Sequence, residues 1–138
     1  METINESKAV GQLCEILALT YGEPPRKARQ IRIAASLHDV GKQKISKSIL
    51  DKPGPLTTQE FEVIKTHTIL GAEMLDGVEG ELGELARDCA LNHHEWHNGN
   101  GYWGRRMSDL PLAVSFTAIS DVFTALCCER CYKKPFPP

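Results

Sequence analysis

Ile31-Arg32-Ile33-Ala34-Ala35-Ser36-Leu37-His38-Asp39-Val40-Gly41-Lys42 is the stretch that decides how this chain folds. Ile31, Ala34, Ala35 and His38 recur at the i, i+3/i+4, i+7 spacing that lines one helix face, and an apolar stripe of that period faces a core. His38 ends the stripe, so an imidazole is sent inward where the pattern demands an apolar side chain. Asp39 is rotated about 100° from it, but at a helix end a change of chain direction brings both groups to one centre.

Working outward, helical periodicity dominates and no strand pair is legible, which predicts an all-α bundle of about five to seven helices. The first spans about Glu2 to Tyr21, with Val10, Leu13 and Leu17 inward, and stops before Gly22. Pro24-Pro25 opens the second, which runs to about Val40 and stops at Gly41. A polar stretch carrying Ile45, Ile49 and Leu50 leads to a turn over 51–55, and Thr57-Thr58-Gln59-Glu60 has the capping-box spacing that starts a third helix. A separate helix is expected around His67 to Leu75, and a long one from about Leu82 to Trp96. Gly99, Gly101 and Gly104 make an irregular loop before a last helix over about Leu112 to Glu129, and the Pro-rich tail 133–138 cannot be helical.

The anomaly at His38 repeats. His67 shares a stripe with Leu70, Gly71 and Met74; His93 continues Leu82, Leu85, Ala86 and Cys89, with His94 beside it; Asp121 continues Val114 and Ala118 towards Ala125. Singly, each has a bland reading. A lone core histidine is ordinarily hydrogen-bonded, Asp121 would pair with Arg130 or Lys133, and His94 would sit at the surface. Together, four of the five histidines and two aspartates would be buried, at a cost of several kcal/mol each unless paired, and a metal centre is the common partner. Imidazole and carboxylate without thiolate favour iron or manganese over structural zinc. Six candidate ligands exceed the needs of one tetrahedral ion, so two divalent ions with Asp39 as bridge are expected. Such ions, about 3.5–4 Å apart, hold a hydroxide and clamp a phosphate, the arrangement for phosphoester hydrolysis.

The bulk properties bound the alternatives. The 138 residues suit one domain able to bury a core, and a net charge of −2 argues against a nucleic-acid polymer as partner. The N-terminus lacks a secretory layout, and the apolar run Leu110 to Leu126 is broken by Pro111, Ser115, Thr117, Ser120 and Asp121, so neither export nor a membrane span is expected and the location is read as cytoplasmic. Five cysteines, an odd number, are expected to stay reduced, and the isolated pair Cys128 and Cys131 has no second thiol pair to complete a zinc site.

With these residues placed, Leu37-His38-Asp39-Val40-Gly41-Lys42, Lys52 to Thr57, His67 with Gly71, His93-His94-Glu95, Gly99-Asn100-Gly101-Tyr102 and Ser120-Asp121 through Arg130 and Lys133 together resemble the HD-GYP family. That is a branch of the HD metal-dependent phosphohydrolases in which bacterial enzymes hydrolyse cyclic di-GMP. The resemblance runs in register from about residue 2 to residue 136. It implies an HD-domain helical bundle whose ligands are His38, Asp39, His67, His93, His94 and Asp121. It further implies a phosphodiesterase acting on cyclic di-GMP or a related nucleotide through a metal-bridging hydroxide, with Asp39 and Lys42 in the catalytic set. Lys42, Tyr102, Arg130 and Lys133 would bind substrate.

The departures from the family pattern define the alternatives. Where the family carries Glu-x-x-x-His on its first helix, this chain has Glu2 and Glu6, one turn apart and further candidate ligands for a third ion. Asn98 stands for an aspartate, Trp103 for the proline of Gly-Tyr-Pro, and Ser115 for an arginine. Trp103 exchanges a fixed φ for a bulky ring, which makes the loop a candidate contact for a protein partner. Glu95 is read either as orienting ligands or as a surface residue. In the resembled family relatives usually continue with further helices beyond this chain's last residue, so the expectation is either a C-terminal truncation or a minimal member of the family. Rival readings are an HD phosphohydrolase for another nucleotide, or a non-catalytic module binding metal or nucleotide.

Overall fold

The structure is a computed structural model that describes the backbone of residues 4–132 and the side chains of residues 5–127. Six α-helices follow in chain order: α1 (Ile4–Tyr21), α2 (Pro25–Ser36), α3 (Lys47–Leu50), α4 (Thr58–Met74), α5 (Gly80–Asn92) and α6 (Leu112–Tyr132), with 3₁₀ turns at Val40–Lys44 and Met107–Asp109. The all-α expectation holds. The core forms where α2 packs on α1 and α5, and α6 on α1 and α5. Its buried members include Val10, Cys14, Ala18, Ala28, Ile31, Ala34, Ala35, Ala86, Cys89 and Ala90, and so many small side chains let the helix backbones approach closely.

Local chemistry sets the boundaries. Gly22, at φ +117°, takes the left-handed conformation after α1, and the N–H groups of Gly22 and Glu23 both reach the Ala18 carbonyl. Pro25 occupies the first turn of α2, where its missing N–H costs nothing. The capping box at α4 is complete: Thr57 Oγ1 accepts from the Glu60 N–H at 3.1 Å, and Glu60 Oε1 accepts from the Thr57 N–H at 2.9 Å.

Five expectations on boundaries and faces need correction. The helix begun at Thr58 runs unbroken to Met74, so the separate helix around His67 is its second half. α2 ends at Ser36 rather than near Val40, and α5 ends at Asn92 rather than Trp96, because in both places the chain tightens into i→i+3 turns. α6 buries Ala113, Val114, Phe116, Thr117, Ser120 and Thr124, leaving Asp121 at the edge of that face and Ala125 exposed. Met74, expected on the inward stripe of His67, is exposed as well. Among the described residues no helix is long and apolar enough to cross a membrane.

Candidate metal centre

The end of α2 delivers the first two ligands. Past Ser36 the His38 N–H returns to the Ala35 carbonyl and the Lys42 N–H to the Asp39 carbonyl, which swings His38 and Asp39 towards the same interior point. Both are buried. The turn that follows lies directly on α4: a Cβ on Gly41 would meet the His67 carbonyl oxygen at 1.8 Å and the Gly71 nitrogen at 2.5 Å. Only glycine fits there, and that contact brings Asp39 to His67.

Three imidazoles are oriented by the same device. Nδ1 of His38 lies 2.6 Å from the Ala35 carbonyl, Nδ1 of His67 2.6 Å from Ile64, and Nδ1 of His93 2.9 Å from Cys89. A carbonyl only accepts, so each Nδ1 carries the proton and donates. In the neutral ring Nε2 is then a bare lone pair, and all of these Nε2 atoms face Asp39: His67 and His93 approach Oδ1 at 3.1 and 3.4 Å, and His38 approaches Oδ2 at 3.3 Å. Asp121 Oδ1 lies 3.3 Å from the same His38 nitrogen.

These contacts are close but poorly aligned. Both oxygens of Asp39 and Nε2 of His67 and His93 are buried without a hydrogen-bond partner. Acceptor facing acceptor in a buried site is unfavourable, and a cation between them relieves it. Burial pushes the His93 and His94 imidazoles down, His94 to about 2, so both are neutral and able to ligate. Burial alone would raise Asp39 and Asp121; where a neighbouring imidazole carries a proton on Nε2 it becomes a donor, which holds Asp39 well below the usual carboxylate range and, from His38, lowers Asp121. The donor atoms sort into two groups, Asp39–His67–His93–His94 and His38–His93–Asp121. His93 has one inward nitrogen and serves a single ion, whereas the two oxygens of Asp39 face different histidines. The donor set therefore fits divalent metal.

Among the described residues no thiol joins either donor group. Cys14 and Cys89 are buried against Thr117, and burial pushes the Cys89 thiol up to about 12, so it stays protonated. Lys42 Nζ sits 3.1 Å from Asp39 Oδ2. Tyr102 stacks on His94 with ring centroids 4.3 Å apart and planes 19° apart; burial, with the Asp39 and Asp121 charges, pushes its hydroxyl up to about 12. Glu6 is half-buried on α1 and contributes no atom to either donor group. Glu2, Lys133 and the side chain of Arg130 lie outside the described residues, as do the side chains of Cys128 and Cys131.

The Gly-rich loop holds residues the sequence left undecided. Glu95 is buried and accepts backbone N–H groups from Trp103 and Arg105 at 2.7 and 2.8 Å, so it is no surface residue. The Trp103 indole points at α4 and donates to Thr68 Oγ1 at 3.0 Å, with Lys65 Nζ over its ring. Arg105 donates to the buried Asn92 side chain, and Asn98 Oδ1 accepts from the Asn100 N–H in a local turn. Thr68, Asn92 and Lys65 were not singled out from the sequence, since nothing in local spacing marks a loop's distant anchor. Ser115 lines an apolar surface groove of about 610 Å³ together with Trp96, Ile119, Phe123 and Leu126; none of the clustered ligands lines it.

Comparison with known proteins then decides the family. A family model described as the HD domain matches residues 3–126. The chain belongs to the HD domain family. Among curated relatives of this HD domain, a 3'3'-cGAMP-specific phosphodiesterase 2 of Vibrio cholerae is 41% identical over 98% of the chain, which spans 26% of that relative. A cyclic di-GMP phosphodiesterase of Thermotoga maritima is 38% identical over 99% of the chain, which spans 38% of it. The HD domain thus covers well under half of either protein's length. Among solved structures, an HDG"Y"P protein from Bdellovibrio bacteriovorus superposes with a TM-score of 0.74 at 23% identity, covering 91% of this chain and 41% of that one, which shows the shared fold. The resemblance read from the sequence is borne out.

Proposed function

We propose that this HD domain is a metal-dependent phosphodiesterase for a cyclic dinucleotide, cyclic di-GMP or a related one. The observation that carries it is the inward convergence of imidazole lone pairs on a buried carboxylate whose oxygens accept no hydrogen bond, with only the Lys42 ammonium paired to Oδ2. His38, His93 and Asp121 on one side, and Asp39, His67 and His94 on the other, would hold two divalent ions, iron or manganese for a donor set without thiolate, with Asp39 between them. When bound, such a pair lowers the pKa of water towards neutrality and neutralises charge developing at phosphorus.

The chain's own residues supply the rest. Two divalent charges over two carboxylates leave a surplus of about two positive charges for an anionic phosphodiester. Lys42, a quarter exposed beside Asp39, extends that positive field towards solvent, where it can meet a non-bridging phosphate oxygen. Tyr102, kept protonated, presents a hydroxyl donor and a ring edge beside His94. The relatives named for cyclic di-GMP and for 3'3'-cGAMP support the substrate class.

The test is turnover of cyclic di-GMP, 3'3'-cGAMP and linear pGpG by the chain loaded with Mn²⁺ or Fe²⁺ under anaerobic conditions, with products resolved by chromatography. Linear product from a cyclic dinucleotide, lost in Asp39→Asn together with bound metal, is expected. Full metal loading without turnover of any of the three substrates overturns the assignment.

A further inference from the structure

Of the four clustered histidines, three have rings locked by a hydrogen bond from Nδ1 to a backbone carbonyl. His94 is the exception: among the described residues no hydrogen bond orients its ring, and its neighbours are other rings. The closest parallel contact is Tyr102, stacked at 4.3 Å. His93, 4.1 Å away but tilted and itself locked, bounds one side, so the movable ring that fixes this imidazole is Tyr102, which sits in a loop outside any helix, closed at its base by an isolated bridge between Trp96 and Arg106.

The loop is held from beneath. Glu95 is 3% exposed, and each of its oxygens accepts one loop N–H, from Trp103 immediately after Tyr102 and from Arg105. Both bonds are charge-assisted, the stronger kind, and part-buried. Gly101 lies so close beneath that a Cβ would meet the His94 carbonyl at 2.4 Å and the Glu95 Cα at 2.5 Å, and the Tyr102 N–H returns to the His94 carbonyl at 3.3 Å. At residue 103 the resembled family carries proline, which has no N–H to give. Trp103 here supplies that N–H to Glu95 and, through its indole, a second tie to Thr68, the residue following the ligand His67.

We infer that Glu95 is a positioning residue: by clamping the backbone on either side of residue 104 it keeps Tyr102 stacked on His94 and so sets the one clustered imidazole that no hydrogen bond orients. Its consequence for metal rests on the proposed function; the stacking itself does not. Outer partners of metal ligands typically govern affinity by 10–100-fold when removed.

Two measurements test it. In metal-free protein, the His94 ring proton resonances carry an upfield ring-current shift from Tyr102; Glu95→Gln, which leaves one loop N–H without an acceptor, is expected to abolish that shift while the His38 and His67 resonances stay in place. In calorimetric titration with Mn²⁺, Glu95→Gln is expected to weaken one of two equivalents about 10-fold and leave the other within about twofold. Tyr102→Leu should reproduce the selective loss without touching Glu95. Equal weakening of both equivalents in step with a lowered Tm, or an unchanged His94 shift in Glu95→Gln, overturns the inference. Should the parent chain bind no Mn²⁺, the metal reading fails while the ring shift still decides the positioning role.

Discussion

Replacing Gly41 with alanine tests the contact on which the centre is built. A Cβ at this position would lie 1.8 Å from the His67 carbonyl oxygen and 2.5 Å from the Gly71 nitrogen. Both are backbone atoms of α4, so no side chain can swing aside. Ordinary contact begins near 3.4 Å, and the turn and the helix must therefore part by about 1.6 Å. Asp39 rides on that turn, with Oδ1 only 3.1 Å from His67 Nε2, and a ligand set tolerates displacements of roughly 0.5 Å. Overpacking of this kind costs about 1–3 kcal/mol. At about 4 °C per kcal/mol for a chain of this size, Tm should fall by roughly 4–12 °C, and Mn²⁺ affinity by more than about tenfold. Circular-dichroism melts and calorimetric titration read the two effects. Gly71→Ala, whose Cβ meets Gly41 nitrogen at 3.2 Å and Ala90 Cβ at 3.4 Å, should cost distinctly less. Gly54→Ala, with nothing within 4 Å, serves as control. A Gly41→Ala protein that melts with the parent and binds Mn²⁺ equally well would refute the claim that these two backbones are held in contact.

Thr57→Ala removes one half of the capping box and should lower stability by about 1 kcal/mol in urea unfolding, with Mn²⁺ affinity unchanged because the cap lies at the far end of α4 from Met74 and ten residues before His67. Chelation should lower Tm: an ion present at about 100 times its Kd contributes about 2.7 kcal/mol, or roughly 10 °C, and a Tm indifferent to EDTA after Mn²⁺ loading would contradict a folded-state metal site. Acidification should destabilise the metal-free protein. His94 is held near 2 when folded, below its ordinary value of 6.5, so the unfolded chain binds its proton more readily and stability falls as pH drops below about 6.5. Between about pH 7.5 and 5.5 this one group contributes on the order of 1 kcal/mol; His93 acts in the same sense, and Asp39 adds to it only below its ordinary carboxylate range. Urea unfolding that gives the same stability at both pH values would contradict neutral, buried imidazoles.

Much of the cluster was legible because histidines on apolar stripes are a compositional anomaly: His38, His67 and His93 stand where no side-chain partner in sequence could satisfy them, and all three prove buried. Helix type was legible for the same periodic reason, and the Thr57–Glu60 box is a local signal that reports its own geometry. What was not legible is long-range. Nothing in spacing tells that Gly41 is needed for α4 rather than for a turn, since its φ is unremarkable and the demand comes from His67 and Gly71, 26 and 30 residues further along the chain. Nor does Glu95 reveal its role, because a carboxylate after two histidines looks equally suited to solvent until the loop folds over it. α6 misled for another reason: its buried face carries Thr117, Ser120 and Thr124, whose hydroxyls erase the apolar stripe that would have fixed its phase.

The two misplaced helix ends have a common cause. Adjacent residues on an α-helix point about 100° apart, so a continuous helix cannot aim two neighbouring side chains into one cluster. The single candidate ligands His67 and Asp121 sit inside α4 and α6, where one inward position is enough. The paired candidates His38–Asp39 and His93–His94 both fall just past a helix terminus, at Ser36 and Asn92, where i→i+3 turns fold consecutive side chains to the same side. Stopping a helix early forgoes backbone bonds that something must replace. At α2 the replacement is the 3₁₀ turn pressed onto α4 through Gly41; at α5 it is Glu95, whose carboxylate takes up the N–H groups of the loop that departs. The elements that end each helix are thus the ones that assemble the centre, which is why mutations at Gly41 and Glu95, neither a ligand, are expected to act on metal binding more strongly than on the helices themselves.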